Sequence, residues 1–224
     1  MEWRMLNQWW GFAHIVTYSR KKILLTALLG GTWVTALAFG ARVLINYETT
    51  PGQVGPVAAN WPTASIVPSQ ADKPTLLMFA HPHCPCTRAS IGELAEIMAH
   101  AMGKVNAYVF FAKPPGAGRD WDETDLRRSA AAIPGVTVLT DENGNEAARF
   151  GAKTSGHTVV FASNGALIFS GGITASRGHA GDNAGESAVL AALTQQPLRR
   201  ARTPVFGCSL TKRPSMPDGK LCSN

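Results

Sequence analysis

Residues 75–102 read TLLMFAHPHCPCTRASIGELAEIMAHAM, and their order decides the fold. Thr75–Ala80 is a short, unbroken apolar run, as expected of a strand buried on both faces of a sheet. The six residues HPHCPC, His81 to Cys86, follow without a spacer. From Thr87 to Met102 the apolar residues Ile91, Leu94, Ala95, Met98, Ala101 and Met102 recur at i, i+3, i+4 spacing, which predicts an amphipathic helix ended by Gly103. A buried strand therefore passes into a helix through two cysteines that bracket a proline.

That placement has chemical content. Proline is favoured at the first helical position, so Pro85 there makes Cys84 the N-cap and puts Cys86 in the first turn. Unpaired backbone N–H groups and the helix dipole then favour a Cys84 thiolate, the reactive form of the side chain. On this reading Cys84 attacks a disulfide and Cys86 resolves the mixed disulfide, with a protonated His83 lowering the thiol pKa further. A one-residue spacing closes a small ring away from relaxed geometry, which makes the bridge labile and oxidising. The same residues support a metal reading. His81, His83, Cys84 and Cys86 supply two imidazoles and two thiolates, a set suited to copper or zinc. Four ligands within six residues, two of them at a helix start, rarely converge on one ion. A third reading, a buried inert cysteine pair, fits poorly with a strand-to-helix turn.

Working outward, Val105–Phe111 is a second strand, Asp122–Ala132 a second helix stopped by Pro134, Val136–Leu139 a third strand, and Glu142–Phe150 a short helix before Gly151. Thr158–Ala162 and Ala166–Ser170 flank Asn164-Gly165, a two-residue hairpin signal. Asp182 or Asn183 is expected to cap a last helix near Glu186–Leu193. The Gly-rich RGHAGDN turn, 177–183, reads as that cap, with a binding loop as the alternative. His14 and His100 read as non-functional. Three βα units, a hairpin and a helix imply an α/β domain with a mixed sheet flanked by helices.

The chain has 224 residues, 45% of them hydrophobic and 16% charged, which excludes a disordered polyampholyte. Its net charge of +6 lies at the two ends. Arg4, Arg20, Lys21 and Lys22 stand against Glu2, and six Lys and Arg after Pro197 stand against Asp218 alone. The body between them is mildly acidic. No basic stripe with interleaved aromatics is present, so no nucleic-acid partner is expected.

Ile23–Ala41 (ILLTALLGGTWVTALAFGA) carries no charge and is long enough to cross a bilayer. Arg20, Lys21 and Lys22 precede it, so the positive-inside tendency puts residues 1–22 in the cytoplasm and the rest outside. Trp3, Trp9, Trp10 and Tyr18 suit the inner interface. A cleaved signal peptide is the alternative, disfavoured by the long basic segment before the apolar run. The expected organisation is a cytoplasmic segment 1–22, a transmembrane anchor 23–45, a Pro-rich tether 46–74 with a short strand near Ile66–Val67, a domain 75–196, and a basic tail 197–224 holding Cys208 and Cys222.

The order strand, cysteine turn, helix and later hairpin resembles the thioredoxin fold. FAHPHCPCTRAS, 79–90, is similar to the F-x-x-x-W-C-x-x-C-R segment of the membrane-anchored TlpA-like branch. HPHCPCTRAS, TSGH (154–157), FSGGIT (169–174), RGHAGDN and VFGC (205–208) are most similar to bacterial thioredoxin-like proteins of the RedB type. The resemblance spans about residues 62–195. It implies thiol–disulfide exchange, without a cofactor, with exported thiol- or disulfide-containing proteins at the periplasmic face of a bacterial inner membrane. Two departures matter. The C-x-x-C pair has lost a residue, and the cis-proline that faces the cysteines is replaced by Gly156, with His157 beside it. That loop normally orients a substrate strand and blocks metal capture. Its change favours copper or zinc as the alternative, and makes His157 a candidate third partner of Cys84, a satisfied structural histidine being the other reading. Cys208 and Cys222 are expected either to pair within the tail or to leave Cys208 to fold back on Cys84 and Cys86 as a resolving thiol or ligand.

Overall fold

The computed structural model describes residues 6–211 apart from Met102 and Gln195, and side chains from Ser19 onward. Two compact units divide the chain, one ending at Tyr47 and one starting at Glu48.

The first unit consists of helix α1, Leu6–Thr49, up to Tyr47. It is longer at both ends than the expected anchor, and within it Ser19–Thr49 has the length and composition to cross a membrane. From Ile23 onward its large apolar side chains, among them Leu24, Leu28, Trp33 and Phe39, are exposed. The threonine hydroxyls return to the helix's own carbonyls: Thr32 Oγ1 donates to Leu28 O at 2.8 Å and Thr35 Oγ1 to Gly31 O at 2.8 Å. With these hydroxyls satisfied internally, the uncharged stretch Ile23–Ala41 presents an apolar surface of the kind a bilayer accepts.

The second unit is built on a five-stranded sheet of order β3-β2-β1-β4-β5. In chain order the elements are β1 Thr75–Ala80, α2 Thr87–His100, β2 Asn106–Lys113, α3 Asp125–Ala131, β3 Val136–Glu142, α4 Asn145–Arg149, β4 His157–Phe161, β5 Leu167–Gly171 and α5 Ala184–Leu193. β1 is central and fully buried. It pairs parallel with β2, from Thr75 opposite Asn106 to Ala80 opposite Phe111, and antiparallel with β4, from Thr75 opposite Phe161 to Phe79 opposite His157. β3 extends the parallel half and β5 the antiparallel half. A mixed sheet with the cysteines at the end of its central strand is the expected thioredoxin-like fold.

Each face of the sheet has its own core. Leu76, Met78, Val109 and Val160 face α2, α3 and α5 through Leu94, Ile97, Leu126 and Val189. Leu77, Phe79, Phe110, Val159 and Phe161 face α4 through Ala147, followed by Phe150, Val67 and Leu210. Asn183 caps α5 as expected, accepting from the amides of Gly185 and Glu186 at 2.9 Å each.

The hairpin loop differs from the expectation. Ala162 N donates to Ala166 O at 2.8 Å, so three residues, Ser163 to Gly165, make the turn. Gly165 takes a left-handed conformation (φ +80°), where a two-residue type I′ turn needs positive φ at both central positions.

The tether expectation is also corrected. Residues 50–74 lie against the domain: Trp61 N donates to Gly165 O and Leu167 N to Ala59 O, both at 2.8 Å. The Trp61 ring meets Phe150 and Phe161 edge-on at 5.3 and 5.2 Å, and Val67 is buried. A bridge at Asn60 with Ala166 takes the place of the strand expected near Ile66–Val67. The ring contacts of the half-buried Trp61 and the buried Val67 outweigh the extended tendency of scattered prolines.

The start of the tail is likewise part of the domain. Ser170 N donates to Ala201 O at 3.0 Å. Thr203 Oγ1 donates to Gly172 O at 2.7 Å. Val205, Phe206 and Leu210 are buried.

Candidate active site

At the end of β1 the chain makes a tight turn before the helix begins. Cys84 N donates to His81 O at 3.1 Å, Thr87 N to Cys84 O at 3.0 Å, and Arg88 N to Pro85 O at 3.3 Å. These i to i+3 bonds put Pro85 and Cys86 in a turn, and α2 starts at Thr87 with Cys86 as its N-cap (φ −65°, ψ −25°). The expected assignment of Cys84 as N-cap and Pro85 as first helical residue is therefore displaced by two positions. The reason is steric: a strand at the sheet centre must bend sharply to bring its helix back over the face.

Cys84 is fully buried, Cys86 and Cys208 half-buried, and all three are thiols. The Cys208 amide donates to Cys84 Sγ at 3.3 Å. The Cys84 pKa is held far below the ordinary thiol value, chiefly by hydrogen bonding from the Cys208 thiol, then from the Cys86 thiol. Thr87 and the Cys208 amide add to this, and together these donors outweigh the opposing effect of burial. The thiolate is thus favoured by donors that include a residue far along the chain, where the sequence had pointed to a helix N-terminus.

The loop before β4 holds this arrangement together. Ser155 Oγ accepts from His81 N at 2.8 Å and lies 2.6 Å from Thr87 Oγ1. Ser155 N donates to Cys208 O at 2.8 Å. Gly156 stands where the sequence placed the substrate loop. Its amide donates to Phe79 O at 2.7 Å, a bond proline cannot make. Its φ of +88° and the Ser90 hydroxyl 2.8 Å from an added Cβ leave room for glycine alone.

His157 does not join the thiols. It lies opposite Phe79 in the sheet and is directed with Val159 and Phe161 away from α2. Its Nε2 is 2.8 Å from Ser170 Oγ. Burial pushes its pKa down to about 4, so the ring is neutral near neutral pH. The alternation of side chains along β4 decides this direction, and it leaves Nε2 partnered by Ser170 and the buried Nδ1 without a partner among the described residues.

The imidazoles of the HPHCPC segment also turn elsewhere. His83 N donates to His81 Nδ1 at 3.2 Å. Both rings meet Trp121 edge-on, His83 at 4.6 Å and His81 at 6.2 Å between centroids. Among the described residues no three His, Cys, Asp or Glu side chains are arranged to hold a metal ion. His81, His83, Cys84 and Cys86 are thus not gathered into one ligand set among the described residues.

Two residues of the site went unrecognised or underweighted in the sequence. Of the two expectations for Cys208, the described residues show its backbone folded back on Cys84. Its pairing with Cys222 falls outside the described residues. Arg177 belongs to the RGHAGDN turn, for which the sequence offers a helix cap or a binding loop. Its Nη1 donates to Gly207 O and its Nη2 to Thr50 O at 3.3 Å, while its amide donates to Glu48 O at 3.0 Å. A lone arginine in a glycine-rich loop was the available signal.

No protein-family model matches the chain, and no curated protein matches it. Among solved structures the chain is similar to an uncharacterized conserved protein from Geobacillus kaustophilus. That match has 20% identity and a TM-score of 0.54, over 75% of this chain and 95% of that one. A hypothetical protein from Sinorhizobium meliloti 1021 matches at 17% identity and a TM-score of 0.52, over 75% of this chain and all of that one. A thioredoxin-like protein solved in its oxidized form is similar at 15% identity, over 67% of this chain and 98% of that one, with a TM-score of 0.44. These likenesses are of fold.

Proposed function

We propose that this chain is a membrane-anchored thiol–disulfide oxidoreductase of the thioredoxin-like class, similar to the TlpA-like and RedB-type branch. α1 is its single anchor, its domain faces the periplasm, and its partners are exported proteins carrying thiols or disulfides. The observation that carries this reading is the environment of Cys84, a thiol whose charged form is favoured at the end of the central strand beside two further thiols.

A thiolate is the attacking species in disulfide exchange. Cys84 attacks one sulfur of a partner disulfide, the partner's S–S bond breaks, and a mixed disulfide forms. A second thiol of the same chain then displaces the partner. The sequence assigns that second step to Cys86.

The test is a redox titration of the full chain in detergent, in glutathione buffers containing a chelator. Alkylation and mass spectrometry report the state of each cysteine. Cys84 is expected to interconvert reversibly as half of a two-electron couple, and Cys84→Ser to abolish the couple. A Cys84 that remains alkylatable as a thiol at every potential would overturn the reading.

A further inference from the structure

The last described stretch of the tail runs beside the loop before β4 as a short antiparallel strand. Ser155 N donates to Cys208 O at 2.8 Å and Leu210 N to Lys153 O at 2.9 Å. Between them Thr154 and Ser209 form an antiparallel bridge. The strand is clamped from both ends: Val205, Phe206 and Leu210 are buried, and Arg177 Nη1 donates to Gly207 O. Gly207 approaches so closely that a Cβ there would lie 2.1 Å from Ser155 O. A side chain at 207 would push the strand away, so glycine at this position is what lets Cys208 reach Cys84.

We infer that Cys208, rather than Cys86, is the thiol that closes a disulfide with Cys84, and that the tail strand is a built-in occupant of the substrate edge of the site. The inference rests on the oxidoreductase reading above and names its second residue. Two observations carry it. Cys208 already touches the Cys84 sulfur through its amide at 3.3 Å, across 124 residues of chain. A Cys84–Cys208 bridge therefore joins two separate segments and escapes the small strained ring that Cys84–Cys86 must close.

The exchange balances without any further reagent. The Cys84 thiolate attacks a partner disulfide, and the first partner sulfur leaves as thiolate. With the strand seated, Cys84 is fully buried, so the partner gains access with the strand displaced. On its return, Cys208 loses its proton and attacks Cys84 Sγ. The bond from Cys84 to the partner breaks, the Cys84–Cys208 bond forms, and the second partner sulfur leaves. The Cys208 proton passes to one departing thiolate, and the other carries the charge that began on Cys84. Two electrons have moved to the partner, which is now a dithiol. The same steps reversed, with a partner dithiol as reductant, restore the two thiols.

The experiment uses the full reduced chain in detergent with oxidised glutathione as the disulfide, followed by non-reducing digestion and mass spectrometry. In the unsubstituted chain and in Cys86→Ser, the expected product is a Cys84–Cys208 cross-linked peptide. In Cys208→Ser, Cys84 is expected to accumulate as its glutathione mixed disulfide, with a lifetime at least about tenfold longer than in the unsubstituted chain. A Cys84–Cys86 bridge in the unsubstituted chain, with accumulation in Cys86→Ser instead, would overturn the inference and leave the oxidoreductase reading intact. A Cys208–Cys222 bridge alongside a Cys84–Cys86 bridge would do the same. If Cys84 takes up no glutathione in any variant, the oxidoreductase reading fails and the inference fails with it.

Discussion

At the scale of single residues the site is governed by what donates to one sulfur. Cys84 is buried, and burial alone raises a thiol's pKa. It is favoured as thiolate because the Cys208 and Cys86 thiols, Thr87 and the Cys208 amide all point at it. The rate of Cys84 alkylation by a small reagent is therefore expected to stay nearly flat between about pH 6 and pH 8, where an ordinary thiol slows about tenfold per unit. In Cys208→Ala the profile should move back toward ordinary behaviour. A steep profile in the unsubstituted chain would contradict the assignment.

His157 supplies the opposite case, a buried group held neutral. Its Nδ1 has no hydrogen-bond partner among the described residues, and its folded pKa is pushed down to about 4. The unfolded chain takes up this proton first, below about pH 6.5. Stability from the group is fully present above that value and is lost as pH falls from 6.5 through 4, by about 3 kcal/mol in all. Urea unfolding at several pH values should show this acid loss, and His157→Asn should flatten it. Equal acid sensitivity in both proteins would rule out His157 as its source.

At the scale of elements, long stretches of periodic or unbroken apolar sequence were legible and short segments between them were not. β1 matches its expected bounds, and α2 ends two residues early, because burial pattern and helix period are local properties. Residues 50–74 have no period to read, and their placement depends on Trp61 finding Phe150 and Phe161. Trp61→Ala is expected to destabilise the domain by about 2–3 kcal/mol. The check is a denaturant midpoint, and a change within about 0.5 kcal/mol, the range of ordinary surface substitutions, would restore the tether picture. The N-cap expected at Cys84 lies at Cys86 for a related reason. A proline favours a first helical turn, but the bend out of a central strand is set by the sheet around it.

At the scale of the whole molecule the two units present different surfaces. α1 presents its leucines, Trp33 and Phe39 outward, which is stable in hydrocarbon and costly in water. Lysine near the middle of such a helix costs about 2.5–3.5 kcal/mol on insertion. The full chain is expected to resist carbonate extraction from membranes, and the double variant Leu29→Lys, Val34→Lys to be released. Release of the unsubstituted chain would argue for a cleaved or peripheral segment.

The amino-acid sequence by itself determined the order of elements, the long N-terminal apolar helix, and the seating of Cys84 at the end of the central strand. Each of these follows from neighbours within a few residues, through hydrophobic period, chain length and turn chemistry. Only the tertiary structure decided which groups surround the Cys84 sulfur. Cys208 arrives from 124 positions away, seated by the Ser155 and Lys153 backbone and by the Arg177 clamp. His157, the first residue of β4, is carried to the opposite face by the alternation of its strand. Contacts that close over such distances depend on which surfaces must be buried together, a property of the packed molecule and not of any local stretch of chain.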